Sequence, residues 1–467
     1  MNVFKENYSK YIEKLYGYKR DNINDNILIN ANNLILPHEY VIHNRIDMTN
    51  IEVYSIDPEG CEDADDAFSI YNKDNKLYLA IHIADPTEFI NIKSDLWRDI
   101  ERKIITRYPT NTKPIHMMPD EIMEKSSLME NNYGEIKNAI TILTEINKET
   151  NLPENKVKLL FTKIKVKSEN SLSYEKASYN IDSIIEIKKG LEISLALQKK
   201  RSERTIGTKL KLVDNSIIKY MNDEPYLYKD TLVEKQMKHM IEEFAIFANS
   251  FVGEYLNIHL EGNGIFRTCD ASCMIGNDVK NYSGNEILHY IITNGIQADY
   301  VNSVASHDLV GSKEYTHFTS PIRRASDCIC HYLLKYLYLK SLNKNVSIPF
   351  DKENLKILSD KCVYKSKEMK KIQYTDIKFR LIQVMFNMLK NKKSIEIEYC
   401  ITSYVSGFIN IIIRKIDLFS VYLSYSLKRK YFGEYIDNKK TFNLTVTIIN
   451  CREKFDEGSI PELDKLF

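Results

Sequence analysis

Four aspartates lie within ten positions of one another in residues 55–68, which read SIDPEGCEDADDAF. They are Asp57, Asp63, Asp65 and Asp66. Carboxylates this close repel one another, and a shared pocket raises some of their pKa values unless a cation neutralises them. Hard divalent ions such as Mg²⁺ take oxygen ligands from a few carboxylates together with substrate phosphates. The spacing therefore favours a metal site that handles phosphate groups.

A solvated loop and a structural Ca²⁺ loop are two other interpretations of this segment. An EF-hand loop requires the order Asp-x-Asp-x-Asp-Gly with a glutamate at its twelfth position, and this segment lacks that order. Apolar residues on both sides, among them Val53, Ile56, Phe68 and Ile70, predict strands that would half-bury the cluster. Half-burial favours a catalytic metal site, and the other two interpretations stay open.

A second polar segment, YTHFTSPIRRASD at residues 315–327, combines aromatic, hydroxyl and basic side chains around Pro321. Arg323 and Arg324 stand before an apolar stretch that predicts a helix from Ala325 to Leu342. Arginine forks match phosphate geometry, and two of them at a helix start can hold an anion that an acidic metal cluster also binds. Alone, this segment would favour a capped helix with surface arginines.

Together the two segments resemble the RNB family, the catalytic module of exoribonucleases of the ribonuclease II and ribonuclease R type and of the eukaryotic exosome nuclease. The family's acidic pattern begins I-D-P and ends D-x-D-D-A, and its later pattern is Y-x-H-F-T-S-P-I-R-[RK]. The resemblance extends from about Arg45 to Lys390. Further segments occur in the family's order: AIHIADPT at 80–87, RYPTNTKPIHMMPDEI at 107–122, SLSYEKA at 171–177, MKHMIEEFAIFAN at 237–249 and IFR at 265–267.

The resemblance implies a hydrolytic exoribonuclease that digests single-stranded RNA from its 3′ end and releases nucleoside 5′-monophosphates. It implies Mg²⁺ or Mn²⁺ as the cofactor, with Asp57, Asp65 and Asp66 as ligands and Asp63 positioning a ligand or a metal-bound water. A metal ion in such a site polarises the scissile phosphate and lowers the pKa of the attacking water. Arg323, which matches the first arginine of the family's pair, would neutralise charge developing on the phosphoryl oxygens.

The resemblance also implies four RNA-binding residues. Arg324 would hold a neighbouring phosphate, and Tyr108 would stack on a base near the 3′ end. Tyr174 would hold the strand slightly upstream. Glu368 lies on the late helix at the place of a functional glutamate in the family. His82 and His317 are expected to be ordered structural groups rather than general bases.

The chain departs from the family pattern at three places. Ala325 stands where the family usually has a tyrosine, the later His-Arg pair is His331–Tyr332, and no leucine follows Tyr108. Relatives of this fold that have lost catalytic carboxylates are RNA-binding pseudonucleases, and an adaptor protein is a third possibility. The intact aspartates argue for the enzyme.

Composition limits the way in which RNA could be bound. The formal net charge is only +1 over 467 residues, so any RNA path must be a local basic channel. The eight cysteines are scattered without a complete zinc-ligand set and predict reduced thiols. The sequence shows neither a signal peptide nor an apolar run long enough to span a membrane, which predicts a soluble, cytoplasmic protein. Protein partners are unknown.

Hydrophobic periodicity predicts an α+β fold of mixed strands and helices, with four or more short strands at the end that fit a small OB-like β-barrel. The resemblance implies that the first part is an RNB catalytic domain and that the barrel is the family's C-terminal RNA-binding barrel. We expect a short leader at 1–45 with a helix-like stretch from Tyr8 to Lys19, the catalytic domain at 46–390 and the RNA-binding barrel at 391–467. Tyrosines on the barrel strands could stack on bases or be half-buried. The predicted strands are 51–89 (several short ones), 139–146, 157–167 and at least four over 394–451, and the predicted helices are 94–106, 181–200, 231–256, 325–342 and 352–389.

Overall fold

The computed structural model describes residues 16–17, 38–272, 281–391, 395–405, 407–428 and 443–448. Most of the predicted leader, and with it most of the helix expected at Tyr8–Lys19, lies outside the described residues. Within the leader, the hydroxyl of Tyr16 donates a hydrogen bond of 2.7 Å to Asp376. The leader therefore contacts the last long helix of the protein. The domain boundaries themselves stay a prediction.

A five-stranded sheet with the order β1-β6-β5-β4-β3 forms the centre of the protein. Its strands pair antiparallel except β1 with β6, which are parallel. In β4 every residue from Leu79 to Ala84 is buried, so both faces of this strand are covered. The strands are β1 (Ile46–Asp47), β2 (Ser55–Asp57), β3 (Asp66–Lys73), β4 (Lys76–Ala84), β5 (Ile136–Ile146), β6 (Pro153–Lys165), β7 (Ser171–Ser173), β8 (Ile217–Met221), β9 (Glu224–Tyr228), β10 (Asn263–Thr268), β11 (Asp299–Ser303), β12 (Ile395–Val405), β13 (Phe408–Ile416), β14 (Phe419–Lys428) and β15 (Asn443–Ile448).

Helices cover this sheet and carry much of the site. The longest spans 40 residues, or about 60 Å. Another begins with a capping box, in which Thr231 and Glu234 bond each other's backbone amides and fix its start. The α-helices are α1 (Asp95–Lys103), α2 (Asp120–Ser126), α3 (Tyr174–Tyr179), α4 (Ile185–Ser202), α5 (Leu232–His259), α6 (Gly284–Thr293), α7 (Ala325–Ser341) and α8 (Lys352–Asn391).

The predicted α+β class and the main predicted elements are confirmed. Helices α1, α4, α5, α7 and α8 overlap the five predicted ones, and β5 and β6 overlap the two predicted central strands. The stripe expected on α5 is buried at Met237, Met240, Phe244 and Ala248 and half-buried at Ile241, Phe251 and Tyr255. The periodicity was reliable here because each of these elements buries one face on a large common core.

Two short pairs of strands were not predicted. Strands β8 and β9 form a hairpin, and β10 pairs with β11. Each strand is only five or six residues long and partly exposed, so neither presents a long apolar run. Asn222 and Asp223 connect the hairpin with positive φ angles of 53° and 64°, the conformation of a type I′ turn.

The C-terminal OB-like barrel is not confirmed. Strands β12 to β15 form an open antiparallel sheet with the order β14-β13-β12-β15, and the described residues show no pairing between β14 and β15. Tyr399 and Tyr425 are 4% and 5% exposed, so these two rings belong to the core of the sheet and cannot stack on bases. Tyr422 is half-buried, and the side chain of Tyr404 lies outside the described residues.

In the part of the chain that the structure describes, no helix is both long and apolar enough to cross a bilayer. Six of the eight cysteines lie in that part, and all six are free thiols, as predicted.

Candidate active site

The four aspartates lie on a strand end and the loop that follows it. Asp57 is the last residue of β2, and Asp66 is the first residue of β3. The loop between them is fixed at its far end, because Leu128 donates to the backbone oxygen of Ala64 at 2.9 Å and Ala84 donates to that of Asp65 at 2.8 Å. Two strands and two backbone hydrogen bonds therefore hold the carboxylates together.

The arginine segment approaches this loop directly. The backbone amide of Ile322 donates to Asp65 Oδ1 at 2.8 Å, and Arg323 Nε donates to Asp65 Oδ2 at 3.1 Å. Arg323 Nη2 donates to the hydroxyl of Ser320 at 3.0 Å, which fixes the guanidinium further. The Arg323 side chain is still 45% exposed, so part of the guanidinium remains accessible. The structure thus brings together the two segments that the sequence singled out.

Tyr108 reaches the site through a short β-bridge. Ile105 pairs with Arg324, and Thr106 donates to the backbone oxygen of Arg323 at 2.9 Å. This pairing carries the following residues to the acidic loop, where the Tyr108 hydroxyl donates to Asp63 Oδ2 at 2.6 Å. Asp63 therefore holds the tyrosine ring in place.

Tyr174 lies on the opposite edge of the acidic strand. Strands β2 and β7 pair in parallel with Asp57 opposite Ser173, so the next residue after Ser173 lies beside the cluster. That residue is Tyr174, the first residue of α3, and Lys238 of α5 lies 5.5 Å from its ring centre. The two tyrosines therefore lie at different borders of the same site.

These side chains line one cavity of about 580 Å³. The cavity also contains Lys238, Glu242 and Asn249, which project from α5. The sequence predicted only the apolar face of α5 and missed these three residues. Their polarity, within a helix that otherwise packs in the core, is the feature that could have identified them. The predicted residues that line the cavity are Asp57, Asp63, Asp65, Asp66, Tyr108, Tyr174, Arg323 and Arg324.

Burial raises the pKa values of Asp57, Asp65 and Asp66. The pKa of Asp57 rises to about 8, chiefly because the group is buried and further because of the charges of Asp66 and Asp63. Burial raises the pKa of Asp66 to about 6, against the opposing effect of Arg323 and Arg324. The pKa of Asp65 is also raised well above its ordinary value by burial, with Arg323 opposing. A cluster with such pKa values favours a bound cation.

The available oxygen atoms fit a hard divalent ion. Asp57 Oδ2 is buried and has no hydrogen-bond partner among the described residues. Both oxygens of Asp65 accept hydrogen bonds, but a carboxylate has about four lone-pair directions, so each oxygen keeps one free. Within the described residues, no group of three or more His, Cys, Asp or Glu side chains is arranged to hold a metal ion. Mg²⁺ keeps waters and substrate phosphates as further ligands, so a few carboxylates are sufficient.

Arg324 and Glu368 occupy different environments from the acidic cluster. Arg324 forms a bidentate pair with the fully buried Asp327, at 2.9 Å from Nε and 2.8 Å from Nη2, although it also borders the cavity. Glu368 lies on α8, accepts a hydrogen bond from Lys365 at 2.9 Å and is 3.9 Å from Arg107. Glu368 does not line the cavity, and its role in RNA binding stays a prediction.

The two histidines have the structural positions that the sequence predicted. The ring of His82 bonds Ser69 and Thr141, and burial lowers its pKa to about 3. His317 bonds the hydroxyl of Tyr300 at 2.8 Å, and burial together with Arg324 holds its pKa well below the ordinary value. Burial therefore favours the neutral form of both rings, and His317 in addition lines the cavity.

Comparison with known proteins identifies the family of this chain. The RNB domain family matches residues 45–340 of this chain. The chain belongs to the RNB domain family.

Two relatives show the range of this family. The chain is 26% identical over 370 residues to a chloroplastic/mitochondrial ribonuclease II of Arabidopsis thaliana, which covers 75% of this chain and 43% of the relative. It is 28% identical over 336 residues to the exosome complex exonuclease RRP44 of Mus musculus, which covers 62% of this chain and 34% of the relative. The chain thus spans less than half the length of either relative.

Solved structures share the fold at lower identity. RNase R of Mycoplasma genitalium, in complex with ribose-methylated single-stranded RNA, superposes with a TM-score of 0.73 at 17% identity, covering 93% of this chain and 74% of that one. Yeast Ssd1, described as a pseudonuclease, superposes with a TM-score of 0.62 at 17% identity, covering 84% of this chain and 51% of that one. The same fold therefore occurs in a ribonuclease and in a pseudonuclease.

Proposed function

We propose that this protein is a metal-dependent exoribonuclease that digests single-stranded RNA from its 3′ end and releases nucleoside 5′-monophosphates. Membership of the RNB domain family supports the reaction class. The names of the ribonuclease II and RRP44 relatives support the same class.

One observation carries the proposal. Four carboxylates and an accessible guanidinium, from segments more than 250 positions apart, meet in one cavity bordered by two tyrosines. A structural loop would leave its charges in water. Here the carboxylates are partly desolvated and one oxygen of Asp57 has no partner among the described residues, which is unfavourable unless a ligand compensates for it.

Asp57, Asp65 and Asp66 would hold Mg²⁺ or Mn²⁺, with Asp63 positioned beside them. The ion would polarise the scissile phosphate and lower the pKa of a water molecule. Asp65 has a second task, because its Oδ2 accepts a hydrogen bond from Arg323 and orients that guanidinium. The remaining N–H groups of Arg323 can then donate to the phosphoryl oxygens as charge develops on them.

The aromatic residues would position the RNA strand. The hydroxyl of Tyr108 is bound to Asp63, which limits rotation of the ring and leaves its face for a base. Tyr174 would contact the strand farther from its end. Arg324 would act at longer range on a neighbouring phosphate, because two of its nitrogens already bind Asp327.

An RNA-binding protein without nuclease activity is the second candidate, because the pseudonuclease Ssd1 has the same fold. All four aspartates of the family pattern are present in this chain and converge in the structure. This convergence favours the enzyme.

The decisive experiment is digestion of 5′-labelled poly(A) in the presence of Mg²⁺, of Mn²⁺ and of excess EDTA. The proposal predicts a ladder that shortens from the 3′ end with either metal, release of 5′-monophosphates and no cleavage in EDTA. Equal cleavage in EDTA would exclude the metal mechanism. Binding without cleavage under all conditions would establish the pseudonuclease.

A further inference from the structure

A second, larger cleft lies on the other side of one loop that borders the catalytic cavity. Its volume is about 830 Å³. Val310 lines the catalytic cavity, whereas its neighbours Leu309 and Gly311 line the cleft. A single turn of backbone therefore separates the two spaces.

The loop between the two spaces, residues 308–313, is called the dividing loop and is fixed by hydrogen bonds. Thr205 donates to the backbone oxygen of Asp308 at 2.6 Å, and Arg201 donates to that of Val310 at 3.0 Å. Arg201 is itself fixed by the buried Glu243 at 2.6 Å and 3.2 Å. The backbone of Gly207 lies so close to the dividing loop that an added Cβ would be 1.9 Å from the backbone oxygen of Leu309. The wall of the cleft is thus a fixed structure.

The cleft is bordered by an unusually basic segment. Residues 199–211, KKRSERTIGTKLK, contain six lysines and arginines and one glutamate, although the whole chain has a net charge of only +1. Glu243 neutralises two of these cations, Arg201 and Lys211, inside the protein. The local charge is therefore far above the average of the chain.

Two exposed cations that line the cleft have no such partner. Arg204 from the basic segment and Lys313 from the dividing loop form no side-chain hydrogen bond or ion pair with any described residue. The acidic lining residues are Glu203 and Asp308, and the Asp308 carboxylate accepts hydrogen bonds from the amide of Ala271 at 2.8 Å and the hydroxyl of Ser306 at 3.2 Å. The lining thus carries three cations, Arg204, Lys209 and Lys313, against these two carboxylates, an excess of one positive charge.

We propose that this cleft binds the phosphodiester backbone of an RNA strand whose end occupies the catalytic cavity. The inference rests on RNA being the substrate class of the proposed function. Unpaired arginine and lysine side chains bind phosphates with release of counterions, and they read no base sequence. The cleft lies one loop away from the catalytic cavity, so the proposed path of the strand runs past Val310, where Arg204 and Lys313 would contact its phosphates.

The test compares RNA binding by two double variants in an Asp66→Asn background, which keeps the probe intact. One carries Arg204→Ala and Lys313→Ala. The control carries Lys156→Ala and Lys158→Ala, which removes two exposed lysines of β6 that line neither cavity. Dissociation constants are measured against salt concentration for single-stranded RNAs of about 20 and about five nucleotides.

We expect the cleft variant to bind the long RNA roughly tenfold more weakly. The magnitude of the negative slope of log K (the association constant) against log salt should fall by about 1.4, which is about 0.7 for each lost phosphate contact. The short RNA, which ends within the catalytic cavity, should bind as before. The control should retain the slope of the parent. Unchanged binding and slope in the cleft variant, with an unchanged melting temperature, would overturn the proposal. This readout needs no cleavage, so it stays separate from the digestion experiment that tests the nuclease activity.

Discussion

The four aspartates have distinct surroundings despite their proximity. Asp63 accepts the hydroxyl of Tyr108, and Asp65 accepts Arg323 and the amide of Ile322. Asp57 keeps a buried oxygen without a partner among the described residues. Removal of each carboxylate should therefore have a different consequence, and the position nearest to strand β3, Asp66, is the most informative.

Replacement of Asp66 by asparagine keeps the shape of the side chain and removes its charge. If the metal stabilises the transition state by several kcal/mol, loss of about 4 kcal/mol of that stabilisation slows hydrolysis roughly a thousandfold. RNA binding should persist or strengthen, because a negative charge near the phosphates is removed. The measurement is a single-turnover rate and a dissociation constant on the same RNA.

The matched control is Asp74→Asn, an exposed aspartate at the other end of the same strand hairpin. It should leave rate and affinity at wild-type values. Cleavage by Asp66→Asn within a few-fold of the wild-type rate would make the cluster a structural loop.

Two variants of Tyr108 distinguish the contribution of its aromatic ring from that of its hydroxyl group. The variant Tyr108→Ala removes a stacking surface worth about 1–3 kcal/mol and should loosen the 3′ end roughly tenfold, with a longer limit product. Tyr108→Phe keeps the ring but frees Asp63, so it should retain most of the affinity while the product length becomes less uniform. Product ladders and circular dichroism spectra of both variants provide the measurement. A folded Tyr108→Ala protein with a wild-type ladder would remove Tyr108 from the RNA path.

Asp57 makes the stability of the metal-free protein depend on pH. Its pKa is about 8 in the folded protein and about 4 when unfolded, so unfolding releases a proton between these values. The contribution of Asp57 to the free energy of unfolding therefore falls as pH rises from 4 to 8. In EDTA, the difference in melting temperature between Asp57→Asn and the wild type should shift by several degrees in favour of the variant as the pH rises from 5 to 8. A difference that is independent of pH would contradict the raised pKa, and added Mg²⁺ should reduce it.

At the scale of elements, helix α5 fixes the arginine segment through Asn249. Its side-chain oxygen accepts the amide of Phe318 at 2.8 Å, and its nitrogen donates to the hydroxyl of Tyr315 at 3.2 Å. These groups are buried, and a buried group without its partner costs about 1–3 kcal/mol.

Asn249→Ala should therefore lower the free energy of unfolding by about that amount and also slow cleavage, because the segment that carries Arg323 loses its support. Chemical denaturation and the single-turnover rate test both effects. Ser250→Ala, the next residue on the same helix, is the control and should change neither. A variant that is destabilised but cleaves at the wild-type rate would show that the segment holds its shape without α5.

The long helices and central strands could be predicted because their periodicity reports burial on one large core. The acidic and arginine segments could be predicted because their residue types are unusual together. The contacts that link Tyr108 to Asp63 and Asn249 to Phe318 could not, since they depend on tertiary approach between segments 45 and 69 positions apart. The closure of the C-terminal barrel is not confirmed among the described strands, and strand number and alternation do not determine whether edges pair.

At the scale of the whole molecule, the C-terminal sheet is joined to the rest through a separate apolar cluster. Leu381, Val384 and Met385 at the end of α8 pack against the inner face of the sheet, together with Leu227 of β9. This cluster is distinct from the main core around the central sheet. The sheet and the catalytic cavity are therefore stabilised by different sets of contacts.

Removal of residues 392–467 should weaken binding of long RNA while short RNAs at high concentration are still cut. The exposed end of α8 should also promote aggregation, because its apolar face loses its cover. A truncation that also carries Leu381→Gln and Met385→Gln is the control for that effect. Melting curves and dissociation constants for both forms are the measurements, and unchanged affinity for long RNA in a folded truncation would exclude the sheet from the RNA path.

The hydrogen bonds from Ile322 and Arg323 to Asp65 join residues 257 and 258 positions apart. Protein synthesis delivers the N-terminal part first, at about 5–20 residues per second. The acidic loop therefore leaves the ribosome well before its arginine partner exists. More than two thirds of the 467 residues must be made before the two can meet. A nascent chain consequently has no complete site for most of its synthesis.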